Sequence, residues 1–214
     1  MGVTQTAIFL DRDGVINRNR EDHVKSWVEF EFLPGALRAL QMLSELEWPL
    51  VVISNQAAIG RGLVSNQTVD EIHHRMALMV EKVGGRIDEV LYCPHRPEEM
   101  CICRKPNPGM LLHAAQDLDL DLTHSFLVGD ALTDITAAIS VGAQPVLVKT
   151  GRGDEQLARY GAKSFAGAYI AGDLLDAAGW IIQRVAERRS IQASQSPLQW
   201  NDSEAIRHHV VVKE

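Results

Sequence analysis

Apolar residues fall into short unbroken runs, separated by longer stretches with helical periodicity. Residues 7–10 (AIFL) run straight into an acidic loop, and 49–54 (PLVVIS) form the next run. Further runs stand at 89–93 (EVLYC), 125–129 (SFLVG) and 144–149 (QPVLVK). Runs this short and this apolar predict buried strands. Between them, Leu37, Leu40, Leu43 and Leu46 recur at helical spacing over 35–47, with Pro34 placed to open a helix. Val69, Ile72, Met76, Met79 and Val83 predict a second helix over 66–83. A third is expected over 108–117, opened by Pro108, and a small-residue helix over 131–141.

Strands alternating with helices predict an α/β fold: a doubly wound parallel sheet with helices on both faces and no large cap, only short loops around the site. The domain is expected to span 1–189, with no internal repeat. The polar, uneven segment SIQASQSPLQWNDSE then opens a C-terminal tail, 190–214, packed loosely or disordered, whose closing HHVVVKE could add an edge strand.

Ligands of such sheets bind beyond the carboxyl ends of the strands. The polar signatures lie there: DRDG after the first strand, SNQ after the second, GDALTD after the fourth. Asp11 and Asp13, two apart at the end of an extended segment, start on the same side, and Gly14 lets the chain turn sharply. One carboxylate can attack phosphorus and form an acyl phosphate. A second can protonate the leaving alkoxide and then deprotonate water. Two acids facing a phosphate dianion require a hard cation, and oxygen ligands favour magnesium. Asp130 and Asp134 add to the acidic cluster, although Asp130 could equally cap a helix. Lys105 offers a cation for phosphate, and Ser54 offers a hydroxyl. Taken singly, each would pass for a loop or turn residue.

Together, FLDRDGVIN, VVISNQ, CRKPNPG and LVGDALTD resemble the four motifs of the haloacid dehalogenase superfamily. The resemblance implies a Rossmann-like haloacid dehalogenase fold and a phosphomonoester hydrolase. Asp11 would be the nucleophile, Asp13 the general acid/base, and Ser54 and Lys105 the grip on the phosphoryl group. Mg2+ would be held by the Asp11 carboxylate, the Asp13 main-chain carbonyl and Asp130, with Asp134 supporting that shell.

All three cysteines fall in CPHRPEEMCIC, residues 93–103. Cys93, His95, Cys101 and Cys103 make a common tetrahedral Zn2+ set, closed and therefore structural. The alternative is free buried thiols. A zinc loop of this form is similar to two branches of the superfamily, the D-glycero-D-manno-heptose 1,7-bisphosphate phosphatases and the histidinol-phosphate phosphatases. NQAAIGRG and RKPNPGM lie closer to the heptose branch, a resemblance that covers about residues 7–180. It implies removal of one phosphate to leave the heptose 1-phosphate, with Asn19, Arg20, Asn55, Gln56 and Arg104 contacting the substrate. Histidinol phosphate is the alternative substrate.

Composition narrows the rivals. A net charge of -7 argues against the basic groove that a nucleic-acid 3′-phosphatase needs. A non-catalytic zinc-stabilised module fits poorly with Asp11, Asp13, Lys105 and Asp130 all present. No apolar run approaches the roughly 20 residues of a membrane span, and no signal peptide opens the chain. Met1, Gly2 and Thr6 meet a formal myristoylation pattern, but a buried strand starting at Ala7 speaks against it. A cytoplasmic monomer acting on a small phosphorylated metabolite is expected, with reduced thiols. Arg61 and Gly62 read as help for a second phosphate or as plain surface. His73 and His74 read as exposed, TGRG at 150–153 as a turn or anion cradle, and Trp27, Phe30 and Phe32 as a small packed flap.

Overall fold

The computed structural model describes residues 5–195; the closing HHVVVKE and the first residues of the myristoylation pattern lie outside them. In chain order the elements are β1 (Ile8–Leu10), α1 (Ala36–Ser44), β2 (Leu50–Asn55), α2 (Ala57–Gly60), α3 (Asn66–Lys82), β3 (Glu89–Cys93), α4 (Gly109–Leu118), β4 (Phe126–Gly129), α5 (Leu132–Ser140), β5 (Gln144–Val148), α6 (Gly153–Tyr160), β6 (Tyr169–Ala171) and α7 (Leu174–Gln195). The strands form one sheet in the order β3-β2-β1-β4-β5-β6, every pair parallel. The doubly wound α/β architecture expected from the apolar runs is therefore present.

Strand periodicity divides the core between two faces. Ala7 and Phe9 of the first run, Val51 and Ile53 of β2 and Leu127 of β4 join one cluster with Met110, Leu111 and Ala114 of α4 and Ala137 and Ala138 of α5. The intervening residues point to the opposite face, where Phe126 meets the indole of Trp180 edge-on at 6.0 Å. Burial of β1, β2, β4 and β5 on both faces explains why each reads as a continuous apolar run.

Two readings need correction. The buried positions of α3 are Val69, Ile72, His73, Met76 and Val80, whereas Val83 lies beyond the helix and is exposed. His73, expected on the surface, is buried at 5% exposure, and only His74 faces solvent. In the predicted flap, Trp27 stacks on Phe30 and Phe30 meets Phe32 edge-on, both at 5.0 Å.

The chain separates at Ile182 into a compact α/β unit and a C-terminal unit. Within the latter α7 continues past Arg189 to Gln195, with an Arg184–Glu187 ion pair at 3.0 Å along its surface.

Candidate active site

The central strands β2, β1 and β4 carry their polar residues to the same end of the sheet. Asp11 follows β1, Ser54 and Asn55 close β2, and Asp130 follows β4. This is the switch point, where the strand order reverses on either side of β1 and the connections part to open a crevice. The crevice is a cleft of about 960 Å³ lined by Asp11, Asp13, Ser54, Lys105 and Asp134 at its base. Asn19, Arg20, Asn55, Arg61 and Arg104 line it as well.

Lys105 reaches into this base almost fully buried. Its Nζ lies 3.0 Å from Asp11 Oδ1 and 2.7 Å from Asp134 Oδ1, and donates to the Ile53 carbonyl at 2.8 Å. Asn55 fixes the backbone that delivers it, donating to the Lys105 carbonyl at 3.0 Å and accepting from the Lys105 N–H at 3.1 Å. Burial drives the ammonium toward its neutral form, but Asp11 and Asp134 outweigh it and hold the Lys105 pKa above the usual lysine range.

Asp130 is held from a different loop. The Arg152 N–H donates to its Oδ2 at 2.8 Å, and Thr150 Oγ1 ties that loop to the Gly14 carbonyl at 2.7 Å. The TGRG turn thus anchors the acidic site. Gly14 (φ +88°) could not be any other residue without displacement, because a Cβ there would stand 2.1 Å from Asp130 Oδ2.

Carboxylate oxygens of Asp11, Asp130 and Asp134 come within 4.8 Å of one another. Burial raises Asp11 to about 7 against the pull of Lys105, and neighbouring carboxylates add to the rise. Burial likewise raises Asp130 to about 6, opposed by Arg152. Three buried acids meet one buried ammonium and, at Asp130, the half-exposed Arg152 guanidinium at 3.4 Å, so positive charge is still short. A hexacoordinate magnesium with arms of about 2.1 Å spans trans oxygens about 4.2 Å apart, so the donor chemistry and spacing fit that ion.

Asp13 meets different surroundings. Its Oδ1 accepts from Arg12 Nη2 at 2.9 Å and Asn17 Nδ2 at 2.9 Å; its Oδ2 accepts from Arg12 Nη2 and Gln56 Nε2, both at 2.8 Å. Burial alone would raise its pKa, yet the Arg12 charge and these hydrogen bonds hold it below the usual carboxylate range. Gln56, expected against the substrate, is buried behind Asp13, where it also donates to Ser54 Oγ at 2.8 Å. Arg12 and Asn17, both fully buried, were not singled out from the sequence. A lone basic residue between two aspartates was the available signal for Arg12.

Cys93, His95, Cys101 and Cys103 converge beside this cleft. The three sulfurs lie 3.2–3.4 Å apart, and His95 Nδ1 lies 3.5 Å from Cys93 and 3.3 Å from Cys103. Zinc with arms of about 2.3 Å makes a tetrahedron with edges of about 3.8 Å, a small relaxation from this packing. Although burial works to raise it, hydrogen bonds from Cys103 and Cys93 bring the Cys101 thiol down to about 7. Two residues beyond this cluster stands Lys105, and Arg104 Nη1 donates to the His95 carbonyl at 3.2 Å.

Comparison with known proteins points to one family. A family model described as HAD-hydrolase-like matches residues 102–177. A D-glycero-beta-D-manno-heptose-1,7-bisphosphate 7-phosphatase of Bordetella bronchiseptica is 40% identical over 176 residues, covering 82% of this chain and 97% of that protein. The enzyme of the same name from Escherichia coli is 34% identical over 209 residues, covering 93% and 100%. A crystal structure of D,D-heptose 1,7-bisphosphate phosphatase from B. bronchiseptica, complexed with magnesium and phosphate, matches with a TM-score of 0.79 at 39% identity, covering 84% of this chain and 99% of that one. Among the described residues no helix is long and apolar enough to cross a membrane.

Proposed function

Because the chain belongs to the D-glycero-D-manno-heptose-1,7-bisphosphate 7-phosphatase family of the haloacid dehalogenase superfamily, we propose that it hydrolyses that bisphosphate to the heptose 1-phosphate through an aspartyl-phosphate at Asp11. The observation that carries the site assignment is the buried Asp11–Lys105–Asp134 group at the base of the cleft, with Asp130 alongside. In this reading an Asp11 oxygen attacks the C7 phosphorus while the bond from phosphorus to the sugar oxygen breaks. Asp13 gives its proton to the departing alkoxide, then takes one from the water that attacks the aspartyl phosphate. Lys105 and Ser54 hold the transferring phosphoryl group and offset its charge. Asp11, the Asp13 main-chain carbonyl and Asp130 would hold magnesium, which would supply the positive charge that lets an anionic nucleophile approach an anionic phosphate.

The hydrogen bonds around Asp13 favour its anion, which suits the second half of the cycle, where it acts as base. To act as acid it must give up at least one donor when substrate arrives. Asn19, Arg20, Asn55 and Arg104 are proposed to meet the sugar and its second phosphate from the cleft walls, with Gln56 contributing from behind Asp13. We also propose a structural zinc on Cys93, His95, Cys101 and Cys103. It would pin the loop that carries Arg104 and Lys105. The enzyme is proposed to work as a monomer in the cytoplasm, where thiolate ligands stay reduced.

Phosphate release from the heptose bisphosphate, with and without magnesium, tests the reading. Release that depends on magnesium and disappears in Asp11→Asn is expected; an Asn variant as active as wild type refutes the nucleophile. Values of kcat/KM for the bisphosphate and for histidinol phosphate, measured side by side, separate the two substrates.

A further inference from the structure

Arg12 is fully buried, and its guanidinium is held at both ends. One end forks the Asp13 carboxylate, with Nη2 also donating to Gln56 Oε1 at 3.2 Å. At the other end Nη1 lies 3.0 Å from Nε2 of His73, which comes from the middle of α3, 61 residues away. A guanidinium carries donors only, so His73 must present a lone pair on Nε2 and keep its proton on Nδ1. The ring is fixed in turn by Tyr92, whose centroid lies 5.3 Å away and whose hydroxyl donates to Asp70 Oδ1 at 2.7 Å. Burial and the Arg12 charge bring the His73 pKa down to about 3, in keeping with a neutral acceptor.

We infer that His73 is a positioning residue for phosphate transfer, fixing the plane of Arg12 and through it the orientation of the Asp13 carboxylate. Because the guanidinium is a rigid plane, anchoring Nη1 leaves it no rotation about the Asp13 fork. Without the acceptor, a buried charged donor is orphaned, and Arg12 turns to find another partner. Asp13 turns with it. The inference rests on Asp13 serving as the acid/base of the proposed reaction.

The test compares His73→Phe, which fills the space but cannot accept, with His73→Gln, whose side-chain oxygen has similar reach. Phe is expected to lower kcat roughly ten- to a hundredfold while KM stays within about twofold, since misorientation of an acid/base group acts on chemistry rather than binding. Gln is expected to retain kcat within about threefold, because it restores the acceptor. Wild-type kcat in the Phe variant overturns the inference. So does equal loss in both variants at unchanged melting temperature. Long-range 1H–15N spectra of the wild-type enzyme with both metals bound provide a readout that needs no variant. Nδ1-protonated His73 at pH 7 is expected, and the Nε2–H tautomer refutes the contact. An active wild type with an inactive Asp13→Asn and an unimpaired His73→Phe would sink the positioning role alone. A wild type silent on the bisphosphate would sink the proposed reaction, and with it the catalytic role inferred for His73.

Discussion

With magnesium removed, Asp11 and Asp130 should contribute stability that falls as pH rises from 4 to 7, against the rise that neutral, buried His73 contributes over the same range. Restoring the ion should reverse the carboxylates' fall. Both Asp11 and Asp130 have folded-state pKa values well above the ordinary 3.8, at about 7 and about 6. At these two carboxylates the folded protein therefore binds more protons than the unfolded chain between those limits, whereas His73 binds fewer and a His73→Phe control isolates the carboxylate contribution. Stability contributed by these groups is complete below pH 4 and lost as pH climbs through the folded values. At about 1.36 kcal/mol per pKa unit, Asp11 accounts for about 4 kcal/mol and Asp130 for about 3. Because each is raised partly by its neighbours, the joint loss lies between about 4 and 7 kcal/mol.

Magnesium binds the ionised carboxylates, so protons compete with it. At pH 8 the competition is negligible; at pH 5 it weakens apparent affinity about a thousandfold, about a hundred from Asp11 and about ten from Asp130. A concentration that stabilises by about 2.7 kcal/mol at pH 8 should stabilise by less than about 0.1 kcal/mol at pH 5. For a domain of this size that is a melting shift of about 5–11 °C at pH 8 and almost none at pH 5. Calorimetry across pH, with zinc retained and magnesium titrated, measures it directly. A magnesium shift as large at pH 5 as at pH 8 would refute the argument that the buried acids make the ion's seat.

Gly14→Ala should displace Asp130, since the new Cβ would stand 2.1 Å from its Oδ2 at a φ of +88°. The variant is expected to lose the magnesium-dependent melting shift and about 1–2 kcal/mol or more of stability from the left-handed backbone alone; retention of the full shift would count against the Gly14–Asp130 contact. Cys101→Ser should purify with less than one equivalent of zinc by elemental analysis. It should melt lower and lose kcat through loosening of the loop that carries Lys105, whereas a full zinc complement with unchanged kcat would refute the structural role.

The central strands were legible because burial on both faces leaves no polar position to interrupt the apolar run. The last strand, Tyr169–Ala171, is three residues at the sheet edge with Ile170 exposed, too short and too mixed to register. Helix α6 buries only Gly153, so its sequence GDEQLARY carries almost no apolar stripe. In α7 the repeat of Leu174, Ala177, Ala178 and Ile181 is present, but two of its four members are alanines, which weaken the contrast. Asp11, Asp130, Lys105 and the cysteines announced themselves by residue type and placement. His73 did not: it sits on the apolar face of α3, between Ile72 and Met76, and only the distant Arg12 explains a histidine there. Contacts made across 61 residues have no signature in local spacing.

One short loop supplies two carboxylates with opposite electrostatic needs. Asp13 receives a guanidinium and two side-chain amides, enough to hold it ionised below the usual range without further help. Asp11, two residues earlier, shares a single ammonium with Asp134 and faces Asp130 as well. Divergent environments for neighbouring acids separate their chemical roles. They also bear on where a divalent ion gains most: beside Asp11, whose one ammonium is shared with Asp134 and where the half-exposed Arg152 only partly offsets Asp130, and away from the Asp13 side chain, where positive charge is already present. The Asp13 carboxylate is thereby left out of the ion's proposed seat, and it trades protons only once it gives up one of these donors. In the proposed reaction Arg12, by satisfying one acid, favours the other as the seat of the metal.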